Sequence, residues 1–179
     1  SMNFEIKGLD ILIKALAFLA GQPAAPAFRL LVAGKGNVRK YRKMAASLGI
    51  GGQVIFTGVL PGVELPSLYA AADLYAMLSR FDTFGMVVLE AMAASLPVLV
   101  SDHVGAKDLV RDGINGFVVS ADEGPEEIAR KIASLLPEEV RERMGRAARE
   151  TALDHTWDAA AARVAAIYAK ILGNPQENR

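Results

Sequence analysis

Along the chain, short dense apolar runs alternate with longer stretches in which apolar residues recur every three or four positions. Leu9, Leu12, Ile13, Leu16 and Leu19 fall on one face of a helix over 9–20, and Pro23 and Pro26 then break the chain. The compact run over 28–33 predicts a buried strand that stops at Gly34. A helix over 38–48 is closed by Gly49 as its C-cap, and a strand over 54–57 precedes Gly58. A helix over 64–72, a strand over 74–78, a helix over 84–95 and a strand over 97–100 continue the rhythm. A short strand over 116–119 follows the Asp112-Gly113 turn, and the remainder reads as helices over 125–136, 137–154 and 157–172.

Strands too apolar to be half exposed, alternating with helices, predict an α/β domain: a Rossmann-like parallel sheet with helices on both faces. Right-handed crossovers place its ligand site at the C-terminal ends of the strands. Nothing before Lys7 is apolar enough for an opening strand, so the sheet is expected to lack its first one. A single domain is expected over 1–179. Ser1 ahead of Met2 reads as a fusion remnant, and the chain as a piece of a longer protein.

Composition then removes function classes. Twenty basic residues against twenty acidic ones give no global field to attract a polyanion, so no nucleic-acid partner is expected. The chain has no cysteine, which excludes disulfides, thiol catalysis and thiolate metal sites. His103 and His155 are isolated from any ligand-like spacing, so no metal is expected. No apolar run approaches the roughly 20 residues of a bilayer span, and no secretory signal opens the chain; a cytoplasmic location follows as the expectation.

The candidate chemistry lies in RFDTFGMVVLEAMAASLPVLVS, residues 80–101. Gly85 stands where the helix begins, and a helix N-terminus with a glycine lets an anion approach unpaired N–H groups. Glu90 is five residues on, roughly 7–8 Å along the axis at 1.5 Å per residue, which suits a ribose attached to a diphosphate held at that terminus. Met86, Val87, Val88, Leu89, Ala91, Met92, Ala93 and Ala94 surround it, so a carboxylate enclosed by apolar side chains and in need of a partner is expected rather than one on an exposed stripe. For Asp82, a ligand contact competes with a plain capping role.

Several fragments recur in a telling order: K-G-L-D-I-L-I from Lys7, L-V-A-G-K-G (31–36), V-I-F-T-G (54–58), L-Y-A-A-A-D-L (68–74), D-G-I-N-G-F-V-V (112–119) and T-W-D-A-A-A (156–161). Together with the Asp82 to Glu90 spacing and the E-A-M-A-x-x-x-P-V that follows, they resemble the C-terminal, donor-binding domain of retaining GT-B-fold glycosyltransferases, group 1, family four. Within that family, N-F-E-I-K-G-L-D and R-K-Y-R-K-M-A-A-S-L-G-I are most similar to the lipopolysaccharide-core glucosyltransferase branch.

The resemblance implies a nucleotide diphosphate sugar as partner, a UDP-sugar ahead of GDP- or ADP-sugars, with no cofactor. Glu90 would bind the ribose. Phe84, Gly85, Met86 and Val87 would offer backbone N–H groups to the sugar and diphosphate. Lys7 would neutralise the departing diphosphate, and Asp82, standing where most members carry glutamate, would contact the donor sugar; these two are the expected catalytic pair. Asp82 is not expected to act as a nucleophile, because no second carboxylate pairs with it in the manner of a retaining hydrolase. Gly34 and Lys35, with the Val59 and Leu60 backbone, would flank the base. The acceptor would be a glycan or lipid-linked glycan held by an N-terminal domain that this chain lacks. Helix 156–172 would cross to that domain, and the chain alone would be inactive. A non-catalytic nucleotide-binding module and a GT-B-fold sugar-nucleotide isomerase are the rival readings.

Other side chains carry plainer expectations. Arg39, Lys40, Arg42 and Lys43 form a solvated face, or else touch anionic lipid or a phosphorylated acceptor at the inner face of the plasma membrane. His103 is a loop residue or a pocket wall, and His155 a cap or surface residue. Met77, Met86 and Met92 are expected in the core. Trp157 is expected as a packing anchor, on a helix whose Val164, Ile167 and Ile171 present an exposed apolar face.

Overall fold

Leu9, Leu12, Ile13, Ala15, Leu16 and Leu19 turn inward from α1 (Leu9–Ala20), as their spacing requires. They meet α5 (Pro125–Leu135), whose Ile128, Ala129, Ile132 and Leu135 are likewise buried. The computed structural model describes residues 3–23, 25–120 and 122–173. Ser1 and Met2, read above as a fusion remnant, lie outside them.

Between those two helices in sequence run β1 (Leu30–Ala33), α2 (Val38–Ser47), β2 (Val54–Gly58), α3 (Leu65–Ala70), β3 (Tyr75–Met77), α4 (Met86–Ala93), β4 (Val98–Ser101) and β5 (Gly116–Val119). After α5 come α6 (Glu138–Leu153) and α7 (Trp157–Gly173). Every strand pairing is parallel: Leu30 opposes Val54, Tyr75 opposes Val98 and Val98 opposes Gly116.

The single sheet expected from the sequence is divided. Among the described residues, β1 pairs only with β2, and β3, β4 and β5 form a separate triplet. In the doubly wound order 3-2-1-4-5-6, the pair corresponds to strands 3 and 2 and the triplet to strands 4, 5 and 6. Among the described residues, no strand takes the place of strand 1, between β1 and β3. Two cores result, one for each face. Leu99 of β4 joins α1, α2 and α5, whereas Val98 and Val100 of the same strand turn to α4 and α6. That alternation is the two-residue period of a strand buried on both sides.

Element ends shift where backbone geometry overrides periodicity. The helix expected over 84–95 begins at Met86, because Gly85 adopts a left-handed conformation (φ 87°) that cannot continue a helix. Gly8 does the same ahead of α1 (φ 67°), and a Cβ there would lie 1.7 Å from the Leu78 carbonyl oxygen. Trp157 departs from its expected role: it is 79% exposed rather than an anchor. Val164, Ile167 and Ile171 are exposed on the same helix, as their pattern suggested.

Candidate functional site

The close approach of Gly8 to Leu78 brings the segment 5–10 onto the end of β3, and Arg80 fastens it there. The Arg80 backbone N–H donates to the Ile6 carbonyl at 2.7 Å. Its guanidinium donates to the Glu5 carbonyl at 2.6 Å and to both carboxylate oxygens of Asp10, at 2.8 and 2.7 Å. The bidentate pair holds the Asp10 carboxyl below the usual aspartate range, chiefly through the Arg80 hydrogen bond, with burial opposing. Lys7 is thereby carried to Asp82, and the two form a partly buried ion pair.

Asp82 is fixed from three directions. Its backbone N–H donates to the His103 carbonyl at 3.1 Å, and its carbonyl accepts from Gly105 N–H at 3.1 Å. Its second carboxylate oxygen accepts from Phe84 N–H at 3.3 Å. Of the two roles that the sequence set against each other, the structure displays the capping one, since Asp82 caps its own turn, and it adds an ion pair with Lys7. Asp82 also engages one of the four N–H groups expected to face a ligand, that of Phe84.

The other three stand open. Gly85 is the N-cap of α4 and provides no side-chain cap. Among the described residues, the N–H groups of Gly85, Met86 and Val87 meet no acceptor. Unpaired N–H groups at the positive end of an eight-residue helix, next to an ammonium, make a setting for a diphosphate. Met86 is 43% exposed at this end, which corrects its expected place in the core; Met77 and Met92 are buried as expected.

Glu90 also departs from expectation. It is exposed rather than enclosed, because it shares the outward stripe of α4 with Met86 and Ala93 while Val88, Leu89, Ala91 and Met92 face inward. Its partner is Tyr69 of α3, whose hydroxyl donates to Glu90 Oε2 at 3.0 Å. Burial, reinforced by the Glu90 charge, pushes the Tyr69 phenol well above its usual range, and burial does the same to Tyr75. The two rings meet edge to face, with centroids 6.1 Å apart.

Gly34 and Lys35 follow β1, and Val59 and Leu60 follow β2. Gly34 N–H donates to the Gly58 carbonyl at 2.7 Å, which ties the two loops together. Lys35 and Val59 are exposed and Leu60 is half-buried, so an open surface lies at the C-terminal ends of this strand pair. Beside Arg80, a cleft of about 280 Å³ is lined by Asp10, Lys14, Ser79, His103, Val119 and Ser120 among others, which makes His103 a pocket wall. His155 is half-buried, and its Nδ1 lies 2.9 Å from the Thr151 carbonyl. Arg39, Lys40, Arg42 and Lys43 are all exposed; Lys40 pairs with Glu5 at 3.0 Å and Arg42 lies over the Phe56 ring.

Sequence reasoning missed Tyr69, Asp10 and Arg80. Tyr69 sat inside the L-Y-A-A-A-D-L fragment, where a tyrosine on a short helix signals a hydroxyl seeking a partner. The Arg80–Asp10 pair spans 70 positions and leaves no local trace.

The model of the family Glycosyl transferases group 1 matches residues 2–151. Among curated proteins, the chain is 33% identical over 174 residues to the D-inositol 3-phosphate glycosyltransferase of Corynebacterium glutamicum (strain R), covering 94% of the chain and 41% of that protein. Among solved structures, it is similar to WaaG, a glycosyltransferase involved in lipopolysaccharide biosynthesis: TM-score 0.74, 30% identity, 87% of this chain and 41% of that one. It is also similar to HepE of Anabaena, solved in complex with UDP and glucose: TM-score 0.78, 27% identity, 93% of this chain and 46% of that one. The chain thus spans less than half the length of each of these relatives.

Proposed function

The chain belongs to the glycosyl transferases group 1 family, and we propose that it is the donor-binding part of a retaining enzyme that moves a sugar from a nucleotide diphosphate to a glycan or lipid-linked acceptor. One observation carries the proposal: Lys7, Asp82 and the open N–H groups of Gly85, Met86 and Val87 converge at the N-terminus of α4. Transfer breaks the bond between the anomeric carbon and the diphosphate and leaves charge on the phosphate oxygens. Stabilising that charge requires fixed positive groups aimed at it. Lys7 supplies a full charge and the helix end supplies dipoles, so no metal is called for. A plain nucleotide-binding module has no use for a lysine placed at the leaving group.

Glu90 accepts the ribose hydroxyls in this reading, Asp82 meets the donor sugar, and the loops at Gly34-Lys35 and Val59-Leu60 flank the base. HepE, crystallised with UDP and glucose, supports a UDP-sugar ahead of GDP- or ADP-sugars. The likeness to WaaG supports a lipopolysaccharide-core acceptor. An acceptor-binding domain would complete the cleft and receive the exposed face of α7. The enzyme would work in the cytoplasm, with the basic run 39–43 meeting the inner face of the membrane. Among the described residues, no helix is long and apolar enough to cross a membrane.

Calorimetry with UDP, GDP and ADP tests the donor site. UDP should bind tightest, and Glu90→Ala and Lys7→Ala should each weaken it. Loss on Glu90→Ala with none on Lys7→Ala would favour a binding module, and a folded chain that takes up none of the three nucleotides would sink the proposal.

A further inference from the structure

An exposed glutamate on a helix samples several rotamers, and fixing them on binding costs free energy. Glu90 escapes part of that freedom. Tyr69 donates its O–H to Glu90 Oε2 at 3.0 Å, from a different helix 21 residues away in sequence. Tyr69 is itself held, since its half-buried ring packs edge-on against Tyr75, at 6.1 Å and 64°. The Tyr75 hydroxyl in turn lies 3.6 Å from the Sδ of Met77, which is buried in β3. A line of contacts thus runs from the buried strand to the open carboxylate. Burial keeps the Tyr69 phenol protonated, so it remains a donor, and the Glu90 charge reinforces this. With Oε2 occupied, Oε1 accepts no hydrogen bond from any described residue.

We infer that Tyr69 is a positioning residue for the donor site: it sets the Glu90 carboxylate so that Oε1 meets the vicinal hydroxyls of a ribose, and thereby sets the preference for ribonucleotides over deoxyribonucleotides. The inference rests on the ribose role proposed for Glu90. It adds a residue and a selectivity to that role. A tyrosine that merely packs would serve equally well as phenylalanine, which keeps the ring and its contact with Tyr75.

The test compares UDP with 2′-deoxy-UDP by calorimetry, for the wild-type chain and for Tyr69→Phe. The wild type should prefer UDP. Tyr69→Phe should lower UDP affinity by about five- to tenfold, the scale of one ordinary net hydrogen bond, and lower that of 2′-deoxy-UDP, which keeps only the 3′ hydroxyl, by less. The melting temperature of the variant, read alongside, should stay close to that of the wild type. A variant that keeps the full preference, or that loses both nucleotides equally, overturns the inference and leaves the ribose role of Glu90 standing. A wild type that binds both nucleotides alike overturns that role, and the inference with it.

Discussion

Arg80 grips Asp10 with both of its terminal guanidinium nitrogens, and Lys7 lies inside the segment that this grip fastens to β3. In the proposed donor site the pair would act on the diphosphate through Lys7, because the guanidinium also binds the Glu5 carbonyl two residues ahead of that lysine. Arg80→Gln should therefore weaken UDP binding by about three- to tenfold. Lys7→Ala should add less in the Arg80→Gln background than it does alone, since both changes remove one shared interaction. Calorimetry on the four proteins of the cycle reads this coupling, and strictly additive losses would show that the strap does not place the lysine.

The same pair has a pH signature. The Asp10 carboxyl is held below its ordinary value in the folded chain, so the folded state favours the ionised form. A depressed carboxylate contributes stability that is present above the unfolded value, about 4, and lost as pH falls through the lower folded value. The difference in melting temperature between the wild type and Asp10→Asn should thus be constant above about pH 5 and shrink below about pH 4. A gap that widened on acidification would contradict the assignment.

Gly85 is required by conformation and by space. Its φ of 87° is costly for any residue with a Cβ. An added Cβ would approach Met77 Cε to 2.7 Å and Val104 Cγ1 to 2.9 Å. Methionine can yield at its flexible end, whereas Val104 is fully buried and less able to move. Gly85→Ala should cost about 2–3 kcal/mol in denaturant unfolding, combining strain and overpacking. It should also weaken UDP, because the turn that opens the N–H groups is the turn that the substitution disturbs. An unchanged unfolding midpoint would refute the strained geometry.

How much of this was legible in the sequence differs between backbone and side chains. Helix α1 was readable to the residue, because five apolar positions on one face and two prolines beyond it are local signals. The burial of β4 on both faces was readable as well, because its run is apolar throughout. That nothing before Lys7 is apolar enough for a strand was readable too, and in a doubly wound order this leaves the gap between β1 and β3 that divides the sheet, although no run of residues encodes by itself which strands become neighbours. Glu90 was rightly singled out as needing a partner but misplaced, because α4 is apolar on its outward stripe as well as on its inward ones. Periodicity cannot show which face is open when Met86 and Ala93 face outward beside a glutamate. Tyr69 and Arg80 act across tertiary contacts, which hydropathy does not register.

Asp82 is where this chain departs from the glutamate expected of the family it resembles. Its carboxylate is already divided between Phe84 N–H and Lys7, so its reach toward a donor sugar is set by a short side chain held at both oxygens. Asp82→Glu lengthens that reach by one methylene and displaces the contact with Lys7. UDP affinity should change less than about threefold, because the longer carboxylate can still pair with Lys7 and the proposed ribose and base contacts do not involve Asp82, whereas the ranking of UDP-glucose against other UDP-sugars should change. A large loss of UDP itself, with the sugar ranking preserved, would assign Asp82 to the diphosphate instead.

Trp157 stands in solvent at the start of α7. A tryptophan at the start of a helix in register with Val164, Ile167 and Ile171 reads as an anchor, yet it is 79% exposed and those three side chains are exposed with it. It is the only tryptophan in the chain, so intrinsic emission reports this position alone. Emission from the folded chain should resemble that of a solvated indole, and unfolding should shift it little. Trp157→Ser should change stability by less than about 0.5 kcal/mol, the range of surface substitutions away from packed features. A blue-shifted native emission, or a Trp157→Ser loss above about 2 kcal/mol, would mean that α7 is covered in solution. Adding a partner domain that seats on α7 should then move the emission to the blue, which makes this residue a reporter for the contact that the exposed face of the helix invites.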